Sequence, residues 1–489
     1  MDLSVELDAS LREFSSAGPA ELRENGSRIA PLSSLSWEVR GTAEKPLIHL
    51  WSEHHNLTRR VVAIVDHSEH RLALAVERFG RARHDRLEFI RLEFDRSARD
   101  LSRELFCQRT AALVADRFPD DRLESLTIAP DLEHSLSGNY ARGVLLRGPL
   151  AWAFLAPADP VFADPVTTLT FALLWLDRIR LAPRRNVAGL CLLVPKGSGA
   201  PIAQLLPALD SRLPVEIWEV DPVLESVHRV VPSSVANISS WLVAHRETQS
   251  LLDQARPALD PLVAAFPALT LHPNVATREI ALRLRGLPIA RWRDFRILFG
   301  LAEPFLELTP ATRIQFNQLL QYVETHRNPL ASDTRHALYR AQAEKWLESS
   351  IREDITRIDP VLDPRFVYAQ VTAAGGNEHG VLDLLSVNRQ GRLAILELKA
   401  AEHIHLPLQA ASYWLRIRLH QAAGSFSRYG YFPGVPLSEA PPLVYLVAPA
   451  LRFHPSTEVL LRFLSPQLEV IRVGLAESWR RGLRVVMRQ

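Results

Sequence analysis

Lysine is nearly absent from this chain. It occurs only at Lys45, Lys196, Lys345 and Lys399, although Lys and Arg together number 57 in 489 residues. Cysteine is scarcer still: Cys107 and Cys191 both sit in apolar surroundings, which excludes a disulfide framework and any cysteine-rich zinc module. No apolar run is long enough to cross a bilayer, and the start lacks the charged-then-apolar pattern of a secretory leader, so a soluble cytoplasmic protein is expected. A surplus of one charge is missing too. The 57 basic and 55 acidic residues leave a formal charge of +2, so no global field draws the chain onto a polyanion and any nucleic-acid binding must be local. Arginine in place of lysine suits bidentate phosphate contacts, and it equally fits GC-rich coding.

The length calls for several domains of roughly 100 to 200 residues each. Residues 36–95 give short alternating runs separated by turn residues, the pattern of an antiparallel β module, assigned here to 1–98. Residues 99–245 alternate helix and strand and predict an α/β domain. The stretch 246–335 reads as a connector, with a helical start, a hairpin across 280–300 and a helix opened by Thr309-Pro310. From 336 to 489 the order is αβββαβ with an extension: a helix over 338–358, strands at 366–371, 381–387 and 392–399, a helix over 407–421, a strand at 443–447, a helix at 457–463 and strands at 468–473 and 483–486. Gly375-Gly376 is read as a strand turn. The fold class is therefore multidomain α/β.

The run Leu396-Glu397-Leu398-Lys399 closes an apolar stretch, with Asp383 one strand upstream. One of the four lysines falls where phosphodiester chemistry would use a lysine. Hydrolysis of a phosphodiester needs a nucleophilic water, stabilisation of charge on the phosphoryl oxygens and help for the departing oxygen. Mg²⁺ takes hard oxygen ligands and keeps several waters, so two carboxylates and a main-chain carbonyl suffice; Asp383, Glu397 and the carbonyl of Leu398 are the expected set, with Mn²⁺ an equivalent. In a strand, residues two apart share a face, which puts Glu397 and Lys399 together beside Ile395 and Leu393. Lys399 can then orient water or balance negative charge. Acidic residues followed by Glu-x-Lys also arise by chance, but ion pairing on a solvated face is a poor account of a stripe that is otherwise apolar.

The flanking helices add to the pattern. At about 100° per residue, Leu347, Ile351 and Ile355 mark the apolar face of the first helix and Glu344 projects among them, so a metal or basic partner is expected for it. Glu348 lies just beside it, and either shares that setting or is an ordinary exposed residue; Lys345 reads as exposed. On the second helix Gln409, Tyr413, Arg416 and His420 form one polar stripe, with Gln409 and Tyr413 nearest the Glu-x-Lys strand. Gln409 is expected in the catalytic group, and Tyr413 and Arg416 in substrate binding.

Together, Asp383, Glu397-Leu398-Lys399 and Gln409-x-x-x-Tyr413 resemble the PD-(D/E)xK nuclease superfamily and its RecB-like branch. Trp346-Leu347-Glu348 and Asp383-Leu384-Leu385-Ser386-Val387 are also similar to the C-terminal domain of NucS-type mismatch endonucleases. The resemblance covers 336–489. It implies a restriction-endonuclease-like core and a divalent-metal nuclease, with Asp383 and Glu397 as ligands, Lys399 as the catalytic lysine and Glu344 as an accessory carboxylate. DNA is the implied partner, with the upstream domains selecting substrate or making a homodimer. The motif proline is missing, since Leu382 precedes Asp383. The same core also serves non-catalytic nucleic-acid-binding and assembly proteins, and fold analogy does not separate them.

A second likeness lies inside the chain. Gly143 to Leu146 parallels Gly380 to Asp383, Leu150 to Ala156 parallels Leu393 to Lys399, and Gly189 to Pro195 parallels Leu443 to Pro449. In that register Leu146, Phe154 and Ala156 replace Asp, Glu and Lys, and residues 99–245 would be a degenerate nuclease-like domain.

Overall fold

The computed structural model describes residues 3–16, 20–24, 27–32, 35–42, 45–51, 56–68, 71–77, 84–182, 185–221, 226–231, 240–369, 371–373 and 382–489. At residues 16, 27, 28, 42, 45, 56, 84, 92–102, 161, 241, 372 and 373 only the backbone is described. Gly375-Gly376 and Gly380 lie outside the described residues. The chain forms two compact units, Met1–Phe106 with Arg340–Gln342, and Cys107–Tyr339 with Ala343–Gln489. Among the described residues no helix is long and apolar enough to cross a membrane.

In the first unit, α1 (Leu3–Ser16) precedes β1 (Ala20–Glu24), β2 (Ser27–Pro31), β3 (Ser36–Thr42), β4 (Lys45–Trp51), β5 (Asn56–His67), β6 (Arg71–Glu77) and β7 (His84–Arg91). They make one antiparallel sheet in the order β2-β1-β7-β6-β5-β4-β3. Leu7, Leu11 and Phe14, at helical spacing on α1, are sealed into its core with Leu22, Leu74 and Phe89. The alternating strands were legible in the sequence, whereas α1 was hidden because Leu3, Val5, Leu7, Ala9 and Leu11 recur every second residue, the spacing of a strand.

The second unit opens within α2 (Leu92–Arg117) and continues through β8 (Asp121–Thr127), β9 (Tyr140–Arg147), β10 (Leu150–Pro157), α3 (Pro165–Arg180), β11 (Val187–Pro195), α4 (Gly199–Ala203), β12 (Val215–Asp221) and β13 (Ser226–Arg229). These strands form a six-stranded sheet, β13-β12-β11-β10-β9-β8. Next come β14 (Trp241–Leu242), α5 (His245–Ala265) and a five-stranded antiparallel meander of β15 (Leu269–Asn274), β16 (Glu279–Leu284), β17 (Leu287–Arg293), β18 (Arg296–Phe299) and β19 (Leu306–Glu307). The helix expected to open at Pro310 begins instead as α6 (Arg313–His326), because Thr309 and Thr312 exchange hydroxyl and amide bonds in a turn ahead of it.

The remaining elements are α7 (Ala337–Arg340), α8 (Ala343–Glu353), β20 (Leu362–Ala369), β21 (Thr372–Ala373), β22 (Leu384–Asn388), β23 (Leu393–Leu398), α9 (Leu406–Ala422), α10 (Ser425–Arg428), β24 (Leu443–Pro449), α11 (Thr457–Leu461), β25 (Val470–Leu475) and β26 (Val485–Arg488). The αβββαβ order read from the sequence is found in the elements of the sheet, with the two-residue β21 added between β20 and β22 and paired with β14 instead. The single helix expected over 338–358 is broken by Gln342 at φ 45° and by Asp354, whose carboxylate accepts the Thr356 amide and caps a 3₁₀ turn, Ile355–Arg357. The strands form a second six-stranded sheet, β20-β22-β23-β24-β25-β26.

The two six-stranded sheets share one connectivity. In each, the first three strands run antiparallel, the third, fourth and fifth are parallel, and the sixth turns back. Their facing helices α3 and α9 pack together within one apolar core that runs from Leu136 to Leu468. A separate core under α8, built on Trp346, Leu347 and Ile351, fills the other face of the second sheet.

Candidate active site at the end of β23

The strand ladder brings the acidic pair together. Leu384 of β22 is paired with Leu396 of β23, so one step further along the hairpin sets Asp383 opposite Glu397, the cross-strand relation in which side chains touch. Asp383 Oδ2 accepts the Leu398 amide at 2.9 Å, which fixes the carboxylate at the strand end. Glu397 is 1% exposed; its Oε1 lies 3.3 Å from Lys399 Nζ, and its Oε2 is buried without a hydrogen-bond partner. Lys399 is buried as well, and its amide donates to Val447 O of β24, which pins the residue just past the ladder. The shared face expected for Leu393, Ile395, Glu397 and Lys399 is the face that α9 covers, since Leu393 and Ile395 pack with Leu408, Ala411 and Leu415.

The electrostatics follow from that burial. Desolvation raises the Asp383 carboxyl to about 6, against the pull of Lys399 and Lys345. Glu397 is pushed well above the ordinary carboxylate range, first by desolvation and then by the charge of Asp383. Burial works against charge on Lys399, yet Glu397, Glu344 and Asp383 outweigh it and hold the ammonium above its ordinary value. Two desolvated carboxylates with one orphaned oxygen make a locus short of positive charge.

On α8 the two glutamates differ in burial. Glu344, expected among the apolar residues, is 44% exposed, with Oε2 at 4.0 Å from Lys399 Nζ. Its angular phase is right, but it stands in the first turn of the helix, where it overhangs the strand end instead of packing on the sheet. Glu348, for which the sequence left exposure open, is 2% exposed and receives Lys345 Nζ at 2.7 Å. Its other oxygen lies 4.0 Å from His272 Nδ1, and Arg283 and Arg352 both donate to that histidine ring. Glu348 is thus tied to the meander; its pairing with β15 and β16 residues had no signal in the local sequence.

From α9, Gln409 Nε2 lies 3.4 Å from the Tyr413 hydroxyl, and the Arg416 guanidinium stands 6.0 Å from the Tyr413 ring centroid. Tyr413 is buried; desolvation and then the negative charge of Glu397 raise its hydroxyl above the ordinary range. His420, at the far end of the stripe, points away from this group and meets Ser240 Oγ at 3.0 Å.

Among the described residues no group of three or more His, Cys, Asp and Glu side chains forms a ready metal cage. The set here is sparser. Asp383 and Glu397 bring hard carboxylate oxygens to one strand end, and the orphaned Glu397 Oε2 is available as a ligand for an ion such as Mg²⁺ that keeps several waters.

No family model matches the chain, and no curated protein matches it. Among solved structures, a complex of EndoMS with double-stranded DNA is similar at 14% identity, over 42% of this chain and 77% of that one, with a TM-score of 0.20. A repair endonuclease from Pyrococcus abyssi is similar at 14% identity, over 42% and 66%, with a TM-score of 0.16. Superpositions that loose carry no statement about this chain, whose chemistry rests on its own residues.

Proposed function

We propose that this protein is a divalent-metal-dependent nuclease that hydrolyses phosphodiester bonds in DNA. The observation that supports it is the convergence at the end of β23: Asp383 and Glu397 paired across the hairpin, both raised by burial, and Lys399 held as a cation between Glu397 and Glu344. Asp383, Glu397 and the Leu398 carbonyl would hold Mg²⁺ or Mn²⁺. When bound, that ion supplies neutralisation of phosphoryl charge and a water of lowered pKa.

The side chains account for the rest. Lys399, kept protonated by its acidic neighbours, sets a positive charge where the transferring phosphoryl group gathers negative charge. Glu344, half exposed at the lip, can take a proton from water that approaches Lys399, and Gln409 and Tyr413 offer neutral donors to a phosphate or to ordered water. A module that only binds nucleic acid has little use for two desolvated carboxylates, which repel a polyanion unless a cation stands between them. DNA is the substrate class implied by the NucS-like motifs.

The test is cleavage of labelled single-stranded, duplex, branched and mismatched DNA, with an RNA control, in Mg²⁺ and in Mn²⁺. Cutting that disappears in Asp383→Ala and Lys399→Ala supports the assignment. Equal cutting by these variants removes the site, and binding without cutting would favour the assembly class.

A further inference from the structure

The joint between the two six-stranded sheets is reciprocal. Leu209 and Leu464 form an isolated antiparallel bridge, with Asp210 N donating to Phe463 O at 2.9 Å and Ser465 N donating to Ala208 O at 2.8 Å. These are the two bonds that any antiparallel bridge makes; what relates the two copies is that the bridge joins equivalent positions. Leu209 and Leu464 precede the fifth strand of their own sheets by the same number of residues, before Val215 and Val470. The helix contacts are exchanged likewise: α11 packs on α3, and the 3₁₀ turn Leu206–Ala208 packs on α9. Two copies of one fold are therefore joined within a single chain about a local two-fold axis.

This joint fixes the register between the copies. Leu190 and Val444 open the ladders onto the fifth strands, with their amides bonded to Pro214 O and Glu469 O. Leu190 is paired with Ala153 and Val444 with Ile395, so Leu155 stands where Glu397 stands and Pro157 where Lys399 stands. The ladder partner of Leu155 is Arg142, which takes the place of Asp383. The sequence comparison, which chose Leu146, Phe154 and Ala156, was out of register: Phe154 points to the opposite face from Leu155, which shares its core with Ile395 and Val444. The Arg142 side chain is 2% exposed, and its guanidinium donates to the carbonyl oxygens of Ser137 and Ala129. A fixed guanidinium repels a divalent cation, and neither leucine nor proline offers a side-chain ligand.

The strands of a duplex run antiparallel and are themselves related by local two-fold axes, so a two-fold pair of nuclease folds presents equivalent faces to the two strands. Here one face carries the acidic pair and lysine, and the other carries Arg142. We propose that, on duplex DNA, the protein cuts one strand in each binding event and leaves a nick, the copy spanning 107–230 meeting the second strand without chemistry. This rests on the nuclease reading given above.

The experiment is a time course of supercoiled plasmid with the full chain in Mn²⁺, paired with calorimetric titration of Mn²⁺ alone into wild type and an Asp383→Asn, Glu397→Gln double variant. Nicked circles should accumulate first, with linear DNA appearing only after a lag through unrelated second cuts, and Mn²⁺ binding should be lost in the double variant. Linear product formed from the outset, at the rate at which supercoiled plasmid disappears, overturns nicking while leaving the nuclease reading intact. Mn²⁺ binding that survives the double substitution would mean the 107–230 copy holds metal, and overturns its silence. A protein that cuts neither DNA nor RNA sinks both readings.

Discussion

Lys399 Nζ lies 3.3 Å from Glu397 Oε1, while the other oxygen of the same carboxylate is sealed from solvent without a hydrogen-bond donor. The lysine therefore meets only one of the two oxygens of Glu397, with Glu344 Oε2 4.0 Å away on its other side. Replacing Lys399 with alanine should lower single-turnover cleavage by roughly 100-fold or more, the usual cost of deleting a charge that stabilises the transition state. Lys399→Arg should recover little, because a planar fork replaces a compact ammonium in a buried slot. Thermal melting of both variants, run beside the kinetics, distinguishes lost chemistry from lost fold; near-wild-type rates in a folded Lys399→Ala protein would remove Lys399 from the mechanism.

The carboxylate pair should make the metal-free protein sensitive to pH with a defined sign. Asp383 is raised from 3.8 to about 6 and Glu397 moves further in the same direction, both chiefly through desolvation. A carboxyl raised in the folded state keeps a proton that the unfolded chain has released, so its contribution is full below the unfolded pKa and declines as pH rises through the folded value. Melting temperature is therefore expected to fall between pH 3.8 and about 6 for Asp383, and the raised Glu397 carboxyl acts with the same sign. Asp383→Asn and Glu397→Gln should each flatten the curve relative to wild type. Mn²⁺, which binds the ionised form, should raise the melting temperature more in mildly alkaline than in acidic buffer. Curves that superimpose for wild type and both variants would contradict the buried, coupled pair.

The sequence was legible where chemistry and periodicity agree. Asp383, Glu397 and Lys399 could be read because a hairpin with period-two side chains can set them only at one strand end, and the αβββαβ order because its apolar runs differ in length. What failed depended on the third dimension. Glu344 and Glu348 have similar helical phase, and only their positions along α8 decide that one overhangs the site while the other meets Lys345 and His272. The likeness between the two sheets was visible as similar apolar runs, but in an all-apolar strand a slip of one residue leaves the composition unchanged while turning every side chain over. Arg142 opposite Leu155 became apparent only from the ladder.

Glu344 and Glu348 should separate cleanly by substitution. Glu348→Gln leaves Lys345 beside a neutral amide and Arg283 and Arg352 without the nearby negative charge, in a buried setting. Breaking one partner of such a group costs about 3–5 kcal/mol, measurable as a lowered denaturant midpoint. Glu344→Gln, at an exposed position, should change stability by less than about 0.5 kcal/mol while slowing cleavage. Equal destabilisation by the two substitutions would contradict the burial difference between them.

Gly286 links the meander to the helix that carries these glutamates. It holds φ 81° in the β16–β17 turn, and a Cβ added there would lie 2.1 Å from the Lys345 carbonyl oxygen in α8. The left-handed backbone alone disfavours a side chain by roughly 1–2 kcal/mol. The close approach adds to this, because the obstacle is helix backbone rather than a movable side-chain tip, so the turn must lift away from α8. Gly286→Ala should therefore lower stability by more than about 1 kcal/mol through the backbone conformation and overlap together. It should also slow cleavage, since moving α8 at Lys345 shifts Glu344 away from Lys399. Hydrogen exchange offers the deciding measurement: amides of α8 and of the β16–β17 turn should lose protection together. Unchanged protection in a folded Gly286→Ala protein would show that the meander does not brace α8.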